Sequence, residues 1–145
     1  MRLPEVFVVD ASVGVKLFLD ESGSHEAERL FTLLGTERPH VIAVPDLFFI
    51  ECANVFRSRA HRHLMSAEQA RAAFAILRSL PLRNVSTADL VPAALDLALV
   101  HGLSVYDATY AALAGQLDAP LVTADAKLAR KLDDAGRKAI LLKAS

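Results

Sequence analysis

One cysteine, Cys52, stands among 145 residues, so an internal disulfide is excluded and a reducing, cytoplasmic setting is expected. No stretch reaches the roughly 18 uninterrupted apolar residues of a membrane span. Pro4 and Glu5 fall where an export leader would have its basic and apolar regions, which predicts no export. Neither sign of charge dominates: the formal net charge is −1, so any polyanion must be held locally, by metal ions or a small basic patch. There is no Gly-x-x-x-x-Gly-Lys loop, which excludes a P-loop nucleotidase. Gly14 stands alone after the first apolar run, so a dinucleotide fingerprint is missing as well. Asp10-Ala11-Ser12 has no second acid two residues on, against an aspartyl-phosphate hydrolase. No internal repeat or low-complexity tract occurs. What is abundant is apolar: hydrophobic residues make up 53% and mean hydropathy is +0.32, enough that some apolar surface is expected to cover a partner.

The length suits one domain with a real core. Short β-branched runs alternate with helical patterns, which predicts an α/β domain with a mostly parallel sheet of about five short strands. The strands are read at Glu5–Asp10, His40–Val44, Leu82–Val85, Pro120–Thr123 and Ala139–Leu142. The helices are read at Ser12–Leu19, His25–Leu34, Asp46–Arg59, Ser66–Ser79, Leu90–Val100, Tyr106–Leu117 and Asp125–Asp134. Gly102 closes the helix before it.

Four acids lie in or at the end of apolar runs. Asp10 ends Val6-Phe7-Val8-Val9, and Glu51 interrupts Leu47-Phe48-Phe49-Ile50. Asp107 follows Val105-Tyr106, and Asp125 follows Leu121-Val122-Thr123-Ala124. A buried lone carboxylate costs several kcal/mol unless it is paired or bound to a cation. Each acid has an ordinary explanation. Asp10 and Asp125 can cap the helices that follow them. Asp107 can favour a helix N-terminus, and Glu51 can pair with Arg57 or Arg59. One divalent-metal site explains all four together. Asp10 and Asp125 also fall just beyond predicted strands, the sheet edge where ligands bind in α/β folds. Glu51 shares a helical face with Leu47, Phe48, Asn54 and Val55. The helix carrying Asp107 is lined with alanine and can pack close to the sheet.

The basic cluster Arg57-Ser58-Arg59-Ala60-His61-Arg62-His63 is the leading candidate for gripping phosphates, through Arg57, Arg59 and Arg62; a solvated helix end is the ordinary reading. Lys127, Arg130 and Lys131 form a second, weaker candidate. Lys16 reads as an exposed helix lysine, and Cys52 as a buried structural thiol.

Val8-Val9-Asp10-Ala11-Ser12, Glu51 with Asn54, Tyr106-Asp107-Ala108-Thr109-Tyr110-Ala111-Ala112-Leu113-Ala114 and Thr123-Ala124-Asp125 together resemble the successive motifs of PIN-domain ribonucleases, and among them the VapC-type toxins of toxin–antitoxin pairs. The resemblance runs from about residue 5 to about residue 142. It implies a three-layer α/β/α domain and an acidic pocket of Asp10, Glu51, Asp107 and Asp125. Asp10 and Asp107 would bind Mg²⁺ directly, with Mn²⁺ able to substitute, while Ser12, Asn54 and Thr123 support the acids by hydrogen bonds. The implied activity is metal-assisted hydrolysis of RNA. The implied partners are a small antitoxin that wraps the toxin and blocks its pocket, and a second copy in a homodimer. Two other readings stay open: a PIN-like module that binds RNA or protein without cutting, and a DNA nuclease or phosphatase using the same pocket.

Overall fold

A computed structural model of the chain describes residues 4–33 and 40–143. The elements run β1 (Val6–Val9), α1 (Ala11–Gly14), a 3-10 turn (Val15–Leu17), α2 (Ser24–Thr32), β2 (Val41–Pro45), α3 (Leu47–His61), α4 (Ala67–Ser79), β3 (Arg83–Val85), α5 (Thr87–His101), α6 (Val105–Gln116), β4 (Leu121–Thr123), α7 (Ala126–Asp134) and β5 (Ala139–Leu141). The five strands form one sheet in the order β3-β2-β1-β4-β5, and every pairing is parallel. Parallel neighbours need crossover helices, which cover both faces and leave the central strands dry. Accordingly Phe7, Val8, Val9, Ile42, Ala43, Val44, Leu121 and Val122 are all fully buried.

The chain leaves β1 toward β2 and later returns on its other side through β4. Strand order therefore reverses between β1 and β4, the switch point at which ligands bind beyond the strand ends in open α/β sheets. Asp10 follows β1 directly, and Asp125 follows β4 after Ala124.

The expected helix over Ser12–Leu19 is shorter and broken: α1 gives way to the 3-10 turn after one turn. Gly14 lies against α3 so closely that a Cβ there would stand 2.5 Å from the ring of Phe48. The expected helix His25–Leu34 begins one residue earlier and runs to Thr32; Leu34 lies outside the described residues. Strand and helix starts are fixed by side chains across the fold. Leu47 N–H donates to Thr87 Oγ1 at 2.9 Å, and Thr87 N–H donates to Asp46 Oδ2 at 3.3 Å, so the starts of α3 and α5 cap each other. Among the described residues, no single helix is long and apolar enough to cross a membrane.

Candidate active site

Asp10 is 6% exposed and extended (φ −97°, ψ 176°) at the N-cap of α1. Its backbone N–H reaches across to Val122 O at 3.3 Å. Its carboxylate accepts Ser12 Oγ at 2.5 Å and Val13 N at 3.3 Å on Oδ1, and Thr123 Oγ1 at 2.5 Å on Oδ2. A hydroxyl has one proton to donate, and both Ser12 and Thr123 give theirs to Asp10. Their lone pairs then accept backbone N–H groups at the end of β4. Ala124 N donates to Ser12 Oγ at 2.9 Å, and Asp125 N donates to Thr123 Oγ1 at 3.1 Å. The ends of β1 and β4 are thus tied into one network centred on a buried carboxylate. Burial still dominates: it pushes the Asp10 carboxyl up from 3.8 to about 6, although Ser12, Thr123 and Val13 pull it down, and the charge of Asp107 adds to the rise.

Asp107 is in the first turn of α6, where Ser104 Oγ accepts its backbone N–H at 3.0 Å. Its half-buried carboxyl is raised, first by desolvation and then by the charge of Asp125, against the pull of Ser104 and Lys131. Glu51, half-buried on α3, accepts the phenol of Tyr110 at 2.6 Å. Desolvation raises it too, with a further push from Asp107, while the Tyr110 bond opposes the rise. Neither arginine pairs with it. Asp107 is therefore the shared neighbour that perturbs both Asp10 and Glu51 and is itself perturbed by Asp125.

Asp125 is exposed and caps α7, accepting Lys127 N at 3.0 Å and Leu128 N at 3.1 Å on Oδ1. The capping explanation for Asp10 and Asp125 is thus correct as local structure, and it coexists with their convergence. Among the described residues no three His, Cys, Asp or Glu side chains close around a single ion position. Mg²⁺ takes oxygen ligands, keeps several waters and uses one or two carboxylates, so a pair of carboxylates is a donor set it can use. Asp10 and Asp107 could supply the oxygens. Like-charge crowding on desolvated acids disfavours their ionised form, and Lys131, which pulls the Asp107 carboxyl down, donates its Nζ to Gly102 O at 3.1 Å.

The structure does not bring every candidate to this edge. Asn54 is exposed on α3, and its side chain joins no hydrogen bond in the site. At about 100° per residue, it lies well around the helix from the buried row Phe48, Cys52 and Phe56. Arg59 donates to Glu21 Oε2 at 2.8 Å, and Lys16 meets Glu21 Oε1 at 3.0 Å. Arg59 is therefore held in an ion triad, and Lys16 is not an exposed lysine but a largely covered one, with 15% of its side chain accessible. Arg57 and Arg62 are exposed. Cys52 is buried, and desolvation drives its thiol far upward, which suits a structural residue and not a nucleophile. Tyr110, Ser104 and Lys131 complete the site. Tyr110 was visible only as a neighbour of Asp107 on α6; its partner Glu51 is 59 residues away.

The fold and site have clear relatives. A family profile described as the PIN domain matches residues 7–133. Ribonuclease VapC3 of Pyrobaculum aerophilum is 36% identical over 126 residues, covering 86% of this chain and 92% of the relative. The crystal structure of VapC20 from Mycobacterium tuberculosis, described as a sarcin–ricin loop cleaving toxin, superposes with a TM-score of 0.67 at 23% identity, over 90% of this chain and 95% of that one. A chain of the VapBC2 structure from Rickettsia felis, bound to a fragment of its promoter DNA, does so with a TM-score of 0.66 at 15% identity, over 94% and 98%. The chain belongs to the PIN-domain family and, within it, to the VapC type.

Proposed function

We propose that the protein is a magnesium-dependent endoribonuclease, the toxin of a toxin–antitoxin pair. The carrying observation is the convergence of Asp10, Glu51, Asp107 and Asp125 at the switch point between β1 and β4, with three of the four pushed toward protonation. The relative named Ribonuclease VapC3 supports RNA as the substrate.

Asp10 and Asp107 would hold the metal. When bound, Mg²⁺ supplies the positive charge that stabilises charge developing on the phosphodiester. The hydroxyls of Ser12 and Thr123 fix the plane of the Asp10 carboxylate, since both oxygens are bonded. Glu51 Oε1 is committed to Tyr110, so Glu51 Oε2 is the oxygen that accepts the proton of an attacking water. Its raised proton affinity suits that role. Asp125 adds negative charge beside Asp107 while anchoring the first turn of α7.

The VapBC2 complex supports a small antitoxin as partner. A covered face is supported by the stripe Val91, Leu95 and Leu99 on α5, which are 38%, 46% and 75% exposed; we assign it to a homodimer contact. The test is cleavage. Purified protein should cut total RNA in Mg²⁺ or Mn²⁺ and not in EDTA, and Asp10→Asn should abolish cutting while remaining folded. Cutting of DNA but not RNA, or an Asn variant at full rate, would overturn the proposal.

A further inference from the structure

A second feature lies away from the acids, between the C-terminal turns of α3 and the first turns of α4. Arg57, Ala60, His61, Ala67, Ala70 and Arg71 line a groove of about 350 Å³. Its floor is alanine and its rim is cationic, and no acidic residue lines it. Arg57, His61 and Arg71 are exposed, and among the described residues none of the three has an ion pair. Arg59, by contrast, is consumed by Glu21. The fold therefore regroups the basic cluster: it withdraws Arg59, leaves Arg62 outside the groove and brings in Arg71 from the next helix.

We infer that this groove is a phosphate-backbone subsite for single-stranded RNA, beyond the scissile position. The inference rests on the ribonuclease reading above. Two unpaired guanidinium groups and an imidazole around an acid-free groove match a chain of phosphates, and guanidinium groups bind phosphate in planar, two-pronged fashion. The groove shares α3 with Glu51, and Arg57 is about 120° around that helix from it at roughly 100° per residue. At about 1.5 Å per residue, Arg57 lies roughly 9 Å and His61 roughly 15 Å along the helix from Glu51. An acidic protein segment would satisfy the same charges; the ribonuclease reading commits the groove to the substrate strand. No aromatic ring lines the groove, so bases are not stacked there. The contact is to the backbone and insensitive to sequence.

The test uses binding, not cutting. In an Asp10→Asn background with Mg²⁺, the affinity of a labelled RNA of about 20 nucleotides is measured by anisotropy as KCl is raised. Each lost phosphate contact removes about 0.7 from the slope of log K against log salt on a single strand. Arg57→Gln with Arg71→Gln should therefore flatten the slope by roughly 1.4 and weaken binding roughly tenfold at moderate salt, equally for unrelated sequences. A control that removes the same charge elsewhere, Arg29→Gln with Arg83→Gln, should leave the slope unchanged. Melting curves of both pairs should match their parent, since all four side chains are exposed. If the groove variant keeps the parental slope while the wild-type protein cuts RNA, the subsite is refuted and the ribonuclease reading survives. If the wild type neither binds nor cuts RNA, both fall. If the groove variant loses binding of a polyglutamate peptide but not of RNA, the groove serves an acidic protein segment and the inference is wrong.

Discussion

Replacing Asp10 by Asn should stabilise the metal-free protein at neutral pH. The carboxyl is raised from 3.8 to about 6 in the fold, so the folded state holds a proton that the unfolded chain has released. Below 3.8 both states are protonated and burial of this group carries no charge penalty. As pH rises through the window from 3.8 to about 6, stability is lost. Above it the loss is complete, and at roughly 1.4 kcal/mol per unit it comes to about 3 kcal/mol. Asn carries no charge and escapes the loss. Its amide nitrogen replaces one acceptor, so Ser12 or Thr123 must turn its hydroxyl, at a cost of about 1 kcal/mol. The net gain of roughly 1–2 kcal/mol should raise the Tm by roughly 2–8 °C for a domain of this size. Thermal denaturation in EDTA at pH 7.5 and pH 4 checks it, with the gain present at the first and absent or reversed at the second. A variant that shifts Tm equally at both pH values would refute the claim that desolvation of an ionised Asp10 destabilises the fold.

Mg²⁺ or Mn²⁺ should stabilise the wild type by about 1.4 kcal/mol at ten times its Kd, and Asp107→Asn should blunt that rise in a melting titration. Tyr110→Phe removes the 2.6 Å bond to Glu51; it should destabilise by about 1 kcal/mol in urea. Because that bond holds the Glu51 carboxyl down, the same change should move the acidic limb of the pH–rate profile to higher pH. Gly14→Ala places a Cβ 2.5 Å from the buried ring of Phe48 and should cost roughly 1–3 kcal/mol by overpacking, again read by urea denaturation.

The central strands β1, β2 and β4 were legible as short apolar runs, because burial on both faces of a parallel sheet requires that pattern, whereas the edge strand β3, Arg83-Asn84-Val85, is polar and largely exposed. The acids were legible as energetic misfits in such runs. What the sequence could not show is pairing across distance. Arg59 and Glu21 are 38 residues apart, and Tyr110 and Glu51 are 59 apart. Helical spacing grouped Asn54 with Glu51 because they are three apart. Only the packing of Phe48, Cys52 and Phe56 shows where the buried face of α3 ends, and Asn54 lies beyond it. The resemblance implies that Ser12 and Thr123 support the acids, but that both hydroxyls end on Asp10 is visible only with β1 and β4 side by side. The break after Gly14 depends on a contact with α3, which no local pattern encodes.

The account's central claim is that the carboxylates at the end of β1, in the second turn of α3 and at the start of α6 form one metal-binding pocket. Anomalous diffraction from crystals soaked in Mn²⁺ tests it most directly. The account predicts a peak held by the carboxylates of Asp10 and Asp107, lost in crystals of Asp107→Asn. A soaked crystal with no peak there, or with its ordered ion elsewhere on the molecule, would contradict it.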